Sequence, residues 1–388
     1  MSTRDWGRRA ADAVAGFTST RSKGPDAMFG GPDGPTHMVR SEGSRVETAD
    51  GRMLIDWTMG LGAVVLGYGH PRVVEAVQRA ARDGVVGPLP PTREVIVAER
   101  LAGLYPGAEQ ARFFKSGAEA VACAVRLARA ATQRSRIVHC GYHGWLDGPT
   151  SGAGVPKETS DLWVRAEFDD GPGLEAAVRE ARPAALVLEP LVERAPSPQW
   201  LHTARRLADE SGAVLVFDEI KTAFRLAPGG AAERWGVRPD LAVLGKALAN
   251  GLPLAAVVGR ADLMARVRET WVSSTLATEF VSLAAAEAVM DVWAEEDVAG
   301  HIERIGGGML ADLRAIPSFV PVEVIGEPWM WFLRFADAEV ERRFLLSCVR
   351  RGVLLKRGAY NFPSLAHDDS DASRTVRTVR DALTEVAP

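Results

Sequence analysis

The chain has 388 residues, 47% of them hydrophobic and 25% charged, enough for a large buried core and for one large domain with a smaller one. A net charge of −4 with no block of Lys or Arg argues against nucleic-acid binding, and no apolar stretch reaches the roughly 18 residues of a membrane span. Cys123, Cys140 and Cys348 show neither metal-ligand nor disulfide-framework spacing, and no signal peptide is evident, so a cytoplasmic, metal-free protein is expected.

In chain order, residues 1–45 are mixed, with a Gly/Pro-rich patch from Gly24 to Pro35 that reads as loop. Arg45–Trp57 alternates around Ala49-Asp50-Gly51 and predicts a hairpin. Helical spacing covers Pro71–Arg82. The middle of the chain then alternates. A helix is expected at Ala118–Thr132, a strand at Arg136–Cys140, and a short apolar run at Ala184–Glu189 ending in Glu-Pro. A helix follows at Leu201–Ser211, with strands at Ala213–Glu219 and Leu241–Gly245. This βα rhythm predicts an α/β fold around a mostly parallel sheet covered on both faces. From Leu283 onward a long helix and then short strands and helices suggest a smaller α+β domain.

The chemistry-bearing residues fall at the ends of these elements. Lys246, in Leu-Gly-Lys-Ala-Leu-Ala-Asn-Gly-Leu-Pro, closes one buried run, and Asp218-Glu219 closes another. An apolar site lowers a lysine's pKa, so that its amine is free to form a Schiff base. A buried carboxylate can keep a pyridine nitrogen protonated. Together they point to pyridoxal 5'-phosphate (PLP). Ser116-Gly117 opens the helix at Ala118 and suits a phosphate at a helix N-terminus; an ordinary capping box closed by Glu119 is the competing reading. Tyr142, in Cys140-Gly141-Tyr142-His143-Gly144-Trp145, is an aromatic at a strand end that can stack on a flat ring, or simply pack in a glycine turn. His143 reads as a hydrogen-bonded residue rather than a base. Glu189 and Asp218 sit at carboxyl ends of successive strands, where open α/β sheets bind ligands.

These segments, with Asp50-Gly51-Arg52-Met53-Leu54-Ile55-Asp56, Gly67-Tyr68-Gly69-His70-Pro71 and Ser364-Leu365-Ala366-His367 followed by Asp371, resemble the class III PLP-dependent aminotransferases, in particular the glutamate-1-semialdehyde aminomutase-like branch. The resemblance runs through nearly the whole chain. It implies fold type I (aspartate aminotransferase-like), with residues 1–50 joining the small domain, 51–282 as the large PLP-binding domain and 283–388 as the small one. It implies that Lys246 holds PLP and shuttles the proton, that Asp218 pairs with the ring nitrogen, and that Tyr142 and Ile220 cover the two ring faces. Ser116, Gly117 and Ala118 would bind the phosphate, and Thr275 would reach that of a partner subunit, so a homodimer is implied. The reaction implied moves an amino group between a small-molecule amine or amino acid and a keto or aldehyde acceptor.

Several residues depart from the family pattern. Ala277-Thr278-Glu279-Phe280 stands where the family has a Gly-Asn-Pro-like stretch, and Lys221-Thr222-Ala223-Phe224-Arg225 where it favours x-Thr-Gly-Phe-Arg. Arg194 replaces an Asn or Glu and is a candidate for a substrate carboxylate, set against a structural role. Near the N-terminus, Gly24-Pro25-Asp26-Ala27 lacks the aminomutases' carboxylate-reading Arg. Lys356, Arg357, Tyr360 and Asn361 are further substrate candidates, each equally suited to a structural role. The main rival reaction is an isomerase, an aminomutase or racemase on the same residues. A nucleotide-dependent oxidoreductase is disfavoured, because Gly60-Leu61-Gly62 lacks the third glycine of a dinucleotide loop.

Overall fold

The Ala49-Asp50-Gly51 turn closes as expected. Gly51, at φ +83°, donates its amide to the Thr48 carbonyl at 2.9 Å, a left-handed position that glycine takes at no steric cost. A computed structural model of the chain describes residues 3–387. Strands β1 (Met38–Glu42), β2 (Arg45–Thr48) and β3 (Met53–Asp56) pair antiparallel in that order. The patch from Gly24 to Pro35 is not wholly loop: Pro25–Phe29 is a short helix. Pro at its first position, Asp26 in its first turn and a left-handed Gly30 beyond its end are the start and stop signals of a helix.

The middle of the chain builds one seven-stranded sheet from β4 (Gln110–Phe114), β5 (Ile137–Cys140), β6 (Trp163–Arg165), β7 (Ala185–Leu188), β8 (Val214–Asp218), β9 (Leu241–Leu244) and β10 (Ala255–Gly259). Their spatial order is β4-β10-β9-β8-β7-β5-β6, with β10 antiparallel to both neighbours and the rest parallel. Strands β5, β7, β8 and β9 are buried at every residue, as a sheet covered on both faces requires. The Gly117–Thr132 helix contributes Ala120, Val121, Ala124, Leu127 and Ala128 to the core, against Val187, Val216, Val243 and Val257 of the sheet.

The chain then forms β11 (Val322–Glu327), β12 (Met330–Phe335) and β13 (Val353–Leu354). The first two make a hairpin, and the third pairs parallel with β3. Two compact units result, one being Arg72–Glu296 and the other the segments to Pro71 and from Asp297. These joins differ from the expected limits after residues 50 and 282. Strand β3 is hydrogen-bonded between β2 and β13, and so belongs with the terminal segments. The Phe280–Glu295 helix packs on the Lys246–Ala249 turn and so belongs with the sheet.

In the terminal unit, the Ser364…His367…Asp371 signature ties distant segments together. Asp371, 1% exposed, accepts from Ser44 Oγ at 2.7 Å and from Arg45 Nη2 at 2.7 Å. His367 stacks on Trp57 with ring centres 4.0 Å apart, and burial pushes its imidazole down to about 4. Lys356 Nζ donates to the carbonyls of Ala27 and Arg357, Arg357 pairs with Glu341 at 3.0 Å, and Asn361 accepts the Lys356 amide at 2.9 Å. Met59–Gly62 follows a left-handed path, with φ between 43° and 79°, unlike the opening of a right-handed helix.

Candidate active site

Four adjacent parallel strands deliver the candidate residues at their carboxyl ends. The register pairs Cys140 with Leu188, Leu188 with Phe217, and Asp218 with Val243. Gly141-Tyr142-His143, Glu189, Asp218 and Gly245-Lys246 therefore emerge side by side, at the edge where doubly wound sheets bind ligands.

Lys246 begins a 3₁₀ turn straight after β9 and holds φ +47°. A left-handed non-glycine residue costs of order 1 kcal/mol or more and tends to occur at functional sites. No hydrogen bond or ion pair restrains its amine among the described residues. Burial pushes its ammonium down to about 8; the charge on Lys221 acts in the same direction, while Glu189 and Asp218 oppose it. The amine is thereby brought near the range in which it can act as a nucleophile at neutral pH.

Asp218, 3% exposed, is held at both oxygens. Oδ1 accepts the Ile220 amide at 3.2 Å, and Oδ2 meets His143 Nδ1 at 2.8 Å. Because a carboxylate only accepts, the proton of that bond lies on Nδ1. His143 is 2% exposed, and its Nε2 has no hydrogen-bond partner among the described residues. The adjacent Glu219 is not available for chemistry. It accepts from Tyr105 Oη at 3.1 Å, from the amides of Ala231 and Ala232 at 2.8 and 2.9 Å, and from Thr222, and burial pushes its carboxyl up to about 7.

Glu189 accepts the Tyr142 amide at 2.9 Å through Oε1, and its Oε2 forms an ion pair with Lys221. Gly141 makes this possible: a Cβ there would lie 2.6 Å from the Glu189 side chain. The Tyr142 side chain is exposed, at 68%.

Ser116 caps the Gly117–Thr132 helix in a complete capping box with Glu119. The box occupies the amides of Lys115, Ser116 and Glu119. Gly117 and Ala118 lie in the first turn, where an amide has no acceptor within its own helix. Capping box and anion cradle are therefore compatible. Two close approaches shape this turn. A Cβ on Gly117 would strike the Ile220 side chain, and one on Gly144 would lie 2.5 Å from Ala118 Cβ.

Two candidates are not brought into this cluster. Arg194 pairs with Asp169 at 2.5 Å and lies over the Phe168 ring at 5.4 Å, with its side chain 56% exposed. Thr275 is exposed in the turn that precedes the Phe280–Glu295 helix. The structure also adds residues that sequence reasoning passed over. Lys221 joins the cluster through Glu189. Lys115 Nζ meets Glu279 at 2.9 Å, linking the phosphate turn to the cap of the Phe280–Glu295 helix. In the sequence each reads only as a charge beside a motif residue, Lys115 before Ser116 and Lys221 after Ile220.

A half-buried amine beside a buried carboxylate, with a helix N-terminus on the same unit, defines an enzyme that captures a phosphorylated aldehyde. The class III aminotransferase family profile matches residues 31–166 and 173–383, and the chain belongs to that family. It is 33% identical over 401 residues to glutamate-1-semialdehyde 2,1-aminomutase of Gemmatimonas aurantiaca, covering 92% of each chain. It is 34% identical over 398 residues to the enzyme of that name from Thermomicrobium roseum, covering 91% of this chain and 92% of that one. The FumI protein of Sphingopyxis sp. MTA144, solved in its PLP internal aldimine form, superimposes with a TM-score of 0.93 at 25% identity, over 99% of this chain and 96% of that one. The fold is that of the fold type I PLP enzymes, and the cofactor is PLP. Among the described residues no group of His, Cys, Asp and Glu could hold a metal ion, and no helix is long and apolar enough to cross a membrane.

Proposed function

We propose that the chain is a PLP-dependent aminotransferase that moves an amino group from an amine or amino acid to a keto or aldehyde acceptor. One observation carries this reading: the unrestrained, desolvated amine of Lys246 emerges beside the Asp218–His143 pair on neighbouring strand ends. When bound, PLP supplies the electron sink that stabilises a carbanion next to the amino group. Lys246 would hold the cofactor through Nζ, and the same atom, when free, would take up and return the substrate proton. Asp218 would accept a hydrogen bond from the ring nitrogen, and His143 Nδ1 keeps its carboxylate aimed. The amides of Gly117 and Ala118, with Ser116, hold the phosphate. Tyr142 and Ile220 cover the ring, and Glu189 orients the Tyr142 segment through its amide.

A homodimer fits this reading. Thr275 is exposed, as a residue serving a partner would be. Val85, Val86, Leu89, Val95, Ile96 and Leu276 leave apolar surface exposed in the same unit, which supports an interface there.

An isomerase is the second reading, favoured by relatives that carry the aminomutase name. Absorbance and borohydride trapping test the cofactor lysine. Reduction of the holoprotein should fix the cofactor to the peptide containing Lys246, and Lys246→Ala should lose both the label and the visible band. A label on another lysine refutes the assignment. Turnover that stops without a keto or aldehyde co-substrate supports the aminotransferase; turnover of a single substrate refutes it in favour of the isomerase.

A further inference from the structure

We propose that Lys221, locked to Glu189, is a positioning residue of this site: its positive charge adds to burial in favouring the uncharged, nucleophilic form of the neighbouring Lys246 amine. The inference rests on Lys246 being the cofactor lysine.

The placement follows from the strand register. Asp218 on β8 faces Val243 on β9, and the Glu219 amide still donates to the Val243 carbonyl at 2.9 Å. Lys221 lies in the turn that follows β8 and Lys246 in the 3₁₀ turn that follows β9, so both lysines sit just past the carboxyl ends of adjacent strands. Glu189 follows β7 on the other side of β8, and its carboxylate holds the Lys221 ammonium. Both partners are shielded, with side chains 12% and 6% exposed, so water screens the charge of Lys221 poorly. Glu189 cannot swing away, because its other oxygen holds the Tyr142 amide and its stem lies against Gly141.

Four charges bear on Lys246: the cations Lys221 and Arg225 and the anions Glu189 and Asp218. These balance two against two, so protonating Lys246 adds a positive charge that nothing in the cluster offsets. The Phe280–Glu295 helix packs on the Lys246 turn, but its acids are engaged elsewhere, Glu287 with Arg93, Asp291 with Arg100 and Glu295 with Arg72. A lysine activated by a second cation is a known route to an amine that works at neutral pH.

Competitive acetylation of the full-length chain with acetic anhydride, after removal of cofactor, tests this. The extent of labelling at Lys246, read by peptide mass spectrometry across pH, gives the midpoint at which that amine loses its proton. Lys221→Met should move the midpoint up by about one pH unit, and Lys221→Arg, which keeps the charge, should restore it. Glu189→Gln leaves Lys221 uncompensated and should move the midpoint down. A purely structural role has no reason to give opposite shifts in the two variants. An unmoved or lowered midpoint in Lys221→Met, or a raised one in Glu189→Gln, overturns the proposal. If borohydride tags Lys246 in the wild-type holoprotein and the midpoints do not move as stated, only the role of Lys221 falls. If borohydride tags a different lysine, the assignment of the site falls with it.

Discussion

Gly144→Ala puts the phosphate turn under direct strain. Gly144 has φ +94°, and a Cβ built there lies 2.5 Å from Ala118 Cβ and 3.0 Å from Ala118 Cα. Two costs follow. Holding an L-residue at that φ costs roughly 1–3 kcal/mol. Relieving the overlap must move the backbone of the helix's first turn, at roughly 1–3 kcal/mol for overpacking. Gly152 separates the two terms: its φ is +127°, and nothing lies within 4 Å of its would-be Cβ, so Gly152→Ala carries the conformational cost alone. Urea unfolding of the cofactor-free proteins should show Gly144→Ala destabilised by more than Gly152→Ala, the excess being about 2 kcal/mol. In the proposed reading the Ala118 amide holds the phosphate through a charge-assisted bond worth about 1.5–3 kcal/mol, so displacing it should raise the Kd for PLP by roughly ten- to a hundredfold. Fluorescence titration with PLP reads this directly. Equal stability losses in the two variants, with PLP binding unchanged in Gly144→Ala, would refute the argument that this contact shapes the cradle.

Three further outcomes are expected. Lys246 is held near 8, below its ordinary value, so in the cofactor-free protein the folded state bears a buried charge at low pH. The unfolded chain binds the extra proton between pH 8 and 10.5, so stability relative to Lys246→Met should rise with pH through that window; urea midpoints that fall there would contradict it. Arg194→Ala should leave KM for both substrates within about twofold and, by leaving the shielded Asp169 carboxylate without its cation, cost about 1–3 kcal/mol; a large KM change would restore Arg194 as a substrate ligand. Asp371→Ala leaves the buried Ser44 hydroxyl without its acceptor and should cost about 1–3 kcal/mol in urea unfolding, the half-exposed Arg45 being resolvated by water, whereas a loss within error would show that the clasp is dispensable.

The parts of the site that could be read from sequence share a physical cause. Strands β7, β8 and β9 are unbroken apolar runs, and each stops at a polar residue, so Glu189, Asp218 and Lys246 announce both the strand end and the site. Ser116 followed by Glu119 marks a helix start as clearly. Edge strands β4 and β6 were harder. Gln110-Ala-Arg-Phe-Phe and Trp163-Val-Arg are short and carry exposed residues, so their patterns do not separate from loop. The reversed direction of β10 has no signature in Ala255–Gly259, because direction is a property of the connections. The Lys221–Glu189 pair was hidden for a related reason: residues far apart in sequence meet only once the strand register is known. Arg194 shows the converse, a chemically apt side chain that a nearby aspartate, Asp169, already occupies.

The clasp of Ser44 and Arg45 on Asp371 has a consequence for biosynthesis. The segments that precede the central sheet cannot finish their own sheet or core until the Asp369–Val386 helix, which follows it in the chain, has been made. The central sheet, whose strands all lie within one continuous stretch, is under no such delay and can condense while translation continues. Nascent-chain truncations should therefore become protease-resistant from the middle outward, with the amino-terminal hairpin protected last.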